Sequence, residues 1–263
     1  MSVKVSPTLI GTYSKRYETV SKAVSVLESD PEVAQLLRMS NVMAVSRLGY
    51  NDHGPVHARI VAGAALELFE RLLKHGVKPT SIENGVARSE DESRAIVVFA
   101  SFLHDIGNSV HRDMHELLGA LLAKDIVDRL LPKVLGNLGA RLYALRQEIL
   151  HAIHATAYDM RCLTVEAGVV KVADGLDMSE GRARIPYELG KIDMHSVSAL
   201  SIKRVDIESG DKRPIRVVVR ADDMAGLFQI ERVLLPKIKT SGLEDYIEVA
   251  VYTGGRLLMT YPR

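Results

Sequence analysis

The run from Ser93 to Leu103 is apolar on nearly every face after Arg94, and it leads into His104-Asp105-Ile106-Gly107-Asn108. A segment with that pattern is buried on all sides, and its length favours a helix over a strand. Gly107 followed by Asn108 is helix-stop chemistry, because glycine accepts the left-handed conformation that ends many helices. His104 and Asp105 then fall in the last turn. An ionised aspartate there faces the negative end of the helix dipole and is destabilised unless a cation sits beside it. A bound divalent metal supplies that cation. A buried histidine bonded to a carbonyl, with Asp105 capping a neighbouring helix, is the alternative without a metal.

Other helices supply candidate partners. After the cap residues Asn51 and Asp52, with Pro55 tolerated in the first turn, a helix runs to about His75 and places His57, Ile60, Val61, Ala64 and Leu68 on one face. The stretch His111 to Glu116 opens another, ended by Pro132, with His111, His115, Leu118 and Leu122 sharing a face. From about Asn137 to Thr156 a further helix carries Leu142, Leu145, Ile149 and Ile153 on one side, while Gln147, His151, His154 and Tyr158 form a polar stripe. The helix from about Thr164 to Met178 brings Asp174 round with Ala167, Val170 and Lys171, so a carboxylate sits on an otherwise buried helix. Two amphipathic helices between Tyr13 and Ser46, divided at Asp30-Pro31, and a polar loop from Gly76 to Glu92 carry no chemistry.

Eight of the nine histidines lie between His53 and His154. Four helical segments thus each offer an inward ligand: His57, His104 with Asp105, His115, and Asp174. Mixed imidazole and carboxylate donors suit manganese, iron, cobalt, nickel or zinc better than magnesium, which prefers oxygen.

Beyond His195 the pattern changes. Ala199 to Ile207 and Pro214 to Arg220 flank a turn at 209–213, a helix carries Leu227, Ile230 and Ile238, and two further strands flank Thr253-Gly254-Gly255. This predicts a mainly α protein with a helical domain over 1–194 and a small α+β (ββαββ) unit over 195–263. A unit of roughly 70 residues is marginal alone and is expected to pack on the helical part or on a second copy. With 34 Lys+Arg against 33 Asp+Glu, the net charge of +1 points to neither nucleic acid nor anionic lipid as partner. A single cysteine, Cys162, excludes an internal disulfide, and no apolar run approaches the roughly 20 residues that span a bilayer. A cytoplasmic protein without a membrane partner is expected.

The order His57, then His104-Asp105 in the form His-Asp-Ile-Gly, then Asp174 in Lys171-Val172-Ala173-Asp174 resembles the HD-domain superfamily of metal-dependent phosphohydrolases, over roughly His53 to Asp177. Ala173 to Met178 and Gly181 to Pro186 resemble an uncharacterised archaeal group of such proteins. The resemblance implies an all-helical HD-type bundle in which His57, His104, Asp105 and Asp174 hold one metal. His115 is placed like a ligand of a second ion, with His151 or His154 next, so one or two ions remain open. His151 and His154 are three apart rather than adjacent, and no Gly-Tyr-Pro occurs, which argues against cyclic-dinucleotide cleavage.

The function implied is a metal-dependent phosphohydrolase acting on a nucleotide or other small phosphoester through metal-activated water. Asp105 and His115 are its expected catalytic groups, and Lys171, Arg182, Arg184 and His53 its expected substrate contacts. A ligand-sensing or assembly protein with a structural metal and a dimerising C-terminal unit is the alternative, and a homodimer is expected on either reading.

Overall fold

A computed structural model describes residues 2–179, 198 and 200–262. The helical part begins with α1 (Leu9–Arg16), α2 (Glu18–Ser29) and α3 (Pro31–Asn41), which continues into a π-wound turn over Val42–Arg47. Asp30 starts α3 as the sequence implies. Its carboxylate accepts the Glu32 and Val33 amides at 3.1 Å, and Pro31, which has no amide to leave unpaired, follows it. The bundle then runs through α4 (Pro55–Lys74), a short α5 (Thr80–Glu83) inside the expected loop, α6 (Glu90–Leu103), α7 (His115–Leu135), α8 (Arg141–His154) and α9 (Val165–Leu176). Buried apolar side chains from all of these except α5 form one continuous core, in which α4 and α6 are buried along most of their length.

Three local expectations are corrected. His111 is not on α7, which starts at His115, so the two histidines do not share a helix face. Pro132 does not end α7 either; the helix continues to Leu135 and stops at Gly136, whose positive φ of 78° is one that glycine adopts freely. Gly107 is not left-handed. It lies in the 3₁₀ turn Ile106–Ser109 because α7 passes directly over it: a Cβ there would meet the His115 carbonyl oxygen at 1.9 Å and the Gly119 amide at 2.5 Å. The glycine that follows the His-Asp pair is therefore a packing requirement that seats α7, with His115, against the pair. Gly107→Ala is expected to destabilise the protein at or above the upper end of the roughly 1–3 kcal/mol that overpacking costs, read as a lowered denaturant midpoint.

Among the described residues a sheet runs in the order β1-β2-β3-β4-β5, with β1 (Val3–Lys4) from the chain's beginning and the other four strands from its C-terminal part. The hairpins β2 (Ile202–Ser209)/β3 (Ile215–Ala221) and β4 (Ile247–Thr253)/β5 (Arg256–Tyr261) are antiparallel, as expected. Between them a helical crossover makes β3 and β4 parallel neighbours. It comprises α10 (Gly226–Gln229), a π-wound stretch (Ile230–Leu234) and α11 (Leu235–Thr240). The unexpected strand is β1 (Val3–Lys4), which pairs with β2 and ties the chain's beginning into the sheet. Arg71 of α4 donates to the Ile207 carbonyl at 3.3 Å and to Ser209 Oγ at 3.2 Å, and α11 packs on α9. The unit thus packs on the helical part, the first of the two sequence expectations.

Candidate metal centre

His104 and Asp105 lie just past the end of α6, where the chain leaves the helix for the 3₁₀ turn. His57 is in the first turn of α4 and Asp174 near the end of α9. All three elements meet there. His57 Nε2 lies 3.2 Å from His104 Nε2, 3.3 Å from Asp105 Oδ2 and 3.3 Å from Asp174 Oδ1. His104 Nε2 lies 3.3 Å from Asp105 Oδ2 and 3.8 Å from Asp174 Oδ1. Two ligand bonds of about 2.1 Å meeting at an octahedral or tetrahedral angle hold their outer atoms roughly 3.0–3.4 Å apart. Four of these five distances fall in that range and the fifth is slightly wide, and two overlapping triads, His57 with His104 and Asp174 and His53 with His57 and Asp105, each bring their ligand atoms within 4.8 Å of one another, so the cluster could hold a divalent ion.

The tautomers fit as well. His57 Nδ1 is 2.7 Å from Asp177 Oδ2 and His104 Nδ1 is 2.8 Å from the Ser101 carbonyl, so each Nδ1 carries a hydrogen and each Nε2 is the nitrogen that would offer a lone pair to a metal once any proton on it has left. Asp177 is a functional residue that sequence reasoning missed. The signal that could have found it is its spacing of three from Asp174, which puts the two carboxylates on one side. Asp177→Ala is expected to weaken divalent-ion affinity by about 10–100-fold, because His57 loses the group that orients it; calorimetric titration measures this.

Asp105 is the hub. Oδ2 meets His53 Nδ1 at 2.6 Å as well as His57 and His104, while Oδ1 accepts from Asn108 Nδ2 at 2.9 Å and lies 3.5 Å from His115 Nε2. Burial alone would raise its pKa, but His53 and His104 outweigh burial and hold the carboxyl well below the usual range. Burial also acts to raise Asp174, and there Lys237 and the two histidines win. His104 is pulled down by burial and up, more strongly, by Asp105 and Asp174, ending at about 9. The cluster is built to hold positive charge.

Beside it opens a cleft lined by His53, Asp105, Arg112, His115, Glu116, Thr156, Tyr158, Asp174, Val233 and Lys237. His115 Nδ1 donates to the Arg112 carbonyl at 2.9 Å, which leaves Nε2 to accept from Arg112 Nη1 at 3.1 Å beside Asp105. His53 faces the cleft but binds Asp105 first. His111 is exposed, and His151 Nε2 accepts the Leu163 amide at 3.0 Å; neither His151 nor His154 lines the cleft.

Lys171 is a correction. It is fully buried, burial lowers its ammonium to about 8, and Nζ donates to the carbonyls of Ala157 at 2.7 Å and Met160 at 2.5 Å. It pins the loop between α8 and α9 and does not face the cleft. The lysine that does is Lys237 of α11, which sequence reasoning passes over. Arg182 and Arg184 lie outside the described residues.

Residues 56–179 match the HD domain. The chain is 47% identical over 223 residues to an uncharacterized protein of Methanocaldococcus jannaschii, MJ1020, covering 85% of each chain. The chain belongs to the HD-domain superfamily of metal-dependent phosphohydrolases. No solved structure matches it significantly. Among the described residues no helix is long and apolar enough to cross a membrane.

Proposed function

We propose that this chain is a metal-dependent phosphohydrolase whose substrate is a nucleotide or another small phosphoester. The observation that carries the reading is the convergence of His57 Nε2, His104 Nε2, Asp105 Oδ2 and Asp174 Oδ1 at the floor of a cleft that also holds cationic side chains. A divalent ion there supplies a water of lowered pKa and polarises a phosphoryl oxygen. The remaining work belongs to the side chains. His57 and His104 aim their Nε2 atoms at the cluster, fixed from behind by Asp177 and the Ser101 carbonyl. Asp105 is held on both oxygens, by His53 on one and Asn108 on the other, and orients the attacking water. His115 sits at the cleft wall with Nε2 free of its own hydrogen and moves a proton between water and leaving group. Arg112 meets phosphate oxygens. His57, His104, Asp105 and Asp174 would hold the ion, and it would supply Lewis acidity and an activated water.

The test is turnover by the purified chain supplied with manganese, cobalt or nickel, against nucleoside mono-, di- and triphosphates and simple phosphoesters. Release of phosphate from one class is expected. Inactivity across the panel in protein shown to hold metal would overturn the reading.

A further inference from the structure

Helix α9 carries Gly168 and Gly175 seven residues apart, and both face the C-terminal unit. A Cβ on Gly168 would meet the Ser241 carbonyl oxygen at 2.5 Å, and one on Gly175 would meet Lys237 Cδ at 3.1 Å. The two glycines let α11 and the residues after it lie directly on α9, and the Lys237 stem passes over Gly175 to reach the cleft. Its Nζ ends 2.6 Å from Asp174 Oδ2, on the opposite oxygen from the one facing the imidazoles, and 3.1 Å from the Thr156 carbonyl. An ammonium has three hydrogens to donate. The third finds no oxygen among the described residues, and Nζ stands 4.7 Å from the centre of the Tyr158 ring at the cleft wall.

A lysine whose whole purpose was to neutralise Asp174 would be repelled once a divalent ion took the same carboxylate. Burying it there makes sense if a third party of negative charge joins the pair. Charge around the cleft points the same way. Its lining carries three carboxylates, Asp105, Glu116 and Asp174, against two permanent cations, Arg112 and Lys237, so a divalent ion turns the balance positive. Lys171, one turn before Asp174, is unavailable for this task because its ammonium is spent on the loop carbonyls.

We infer that Lys237 is the residue that grips the substrate's phosphoryl group beside the metal, so that the C-terminal α+β unit completes the active site of the helical domain. The inference rests on reading the His-Asp cluster as a metal centre. Together, Lys237 and Arg112 bracket the cleft with two cations on separate elements, one from each part of the chain.

The test titrates Mn²⁺ into full-length wild type and Lys237→Met, and then titrates inorganic phosphate into each manganese-loaded protein. Lys237→Met is expected to bind Mn²⁺ at least as tightly as the wild type, since a competing cation has gone. It is also expected to bind phosphate about tenfold more weakly or worse, the scale of one charge-assisted hydrogen bond. Phosphate affinity within about threefold of wild type overturns the inference and makes Lys237 a counter-ion only. A fall in Mn²⁺ affinity alongside phosphate also overturns it, and makes Lys237 a positioning residue for Asp174. Should Lys237→Met fail to fold, Lys237→Gln keeps an N–H for the Thr156 carbonyl and is read by the same criteria. A wild type that binds neither Mn²⁺, Co²⁺ nor Ni²⁺ is a different failure, which removes the metal-centre reading and this inference with it.

Discussion

The Asp105→Asn protein is expected to keep the wild-type fold and to lose turnover by about 10³-fold or more, because its target acts as one unit with the other metal-holding side chains. The substitution preserves shape. The amide that replaces the carboxylate retains an oxygen for Asn108 Nδ2, which bonds Asp105 Oδ1 at 2.9 Å, so the 3₁₀ turn has no reason to move. What disappears is the negative charge that His53 and His104 surround, and with it most of the attraction for a divalent ion. Removing a ligand charge and removing the water-orienting group are the same act here, so metal content and turnover should fall together while the far-ultraviolet circular dichroism spectrum stays unchanged. Full metal content in the variant would contradict the central place given to Asp105.

Much of this centre can be read along the chain because its residues obey local rules. His57 follows from helical spacing on α4, and Asp174 stands out as a carboxylate on a helix whose other faces are buried. The His104-Asp105 pair is marked by the apolar helix that leads into it. The ββαββ order is legible for the same reason, since alternation and turn residues repeat within short windows.

What is not legible depends on contacts between distant residues or on the direction of long side chains. Lys237 lies 63 residues from Asp174, and nothing in Leu-Pro-Lys-Ile-Lys-Thr distinguishes Lys237 from the exposed Lys239 two positions on. The position of Lys171 one turn before Asp174 points it at phosphate, but a flexible four-carbon stem allows its ammonium to turn away, and the loop carbonyls 157 and 160 claim it. Gly107 shows a subtler version of the problem. Glycine after a helix suggests a left-handed stop, yet the residue is glycine because the backbone of α7 arrives from elsewhere in the fold. Strand β1 has only two residues, too few for any alternation to register, and is defined by its partner β2.

Acidity gives the other large effect, with opposite signs for metal binding and for the stability of the metal-free protein. Burial pulls the His104 pKa down, but Asp105 and Asp174 pull harder and leave it at about 9 in the metal-free cluster. At neutral pH the imidazole therefore carries a proton on the Nε2 that a metal needs, and binding must expel it. Apparent divalent-ion affinity is expected to rise about tenfold per pH unit as pH increases toward 9 and to level off above it, so that affinity at pH 7 lies roughly 100-fold below the plateau. The metal-free fold responds the other way. Because the folded pKa is raised above the ordinary histidine value of 6.5, this proton stabilises the folded state fully below that value and progressively less as pH climbs through 9. The contribution at stake is on the order of 3 kcal/mol. Chemical denaturation of chelator-treated protein and calorimetric titration with Mn²⁺, both carried out between about pH 6.5 and 8.5, should give lines of opposite slope. An Mn²⁺ affinity that is flat across that interval would mean His104 is already neutral, and that Asp105 and Asp174 do not hold the proton that the metal is said to replace.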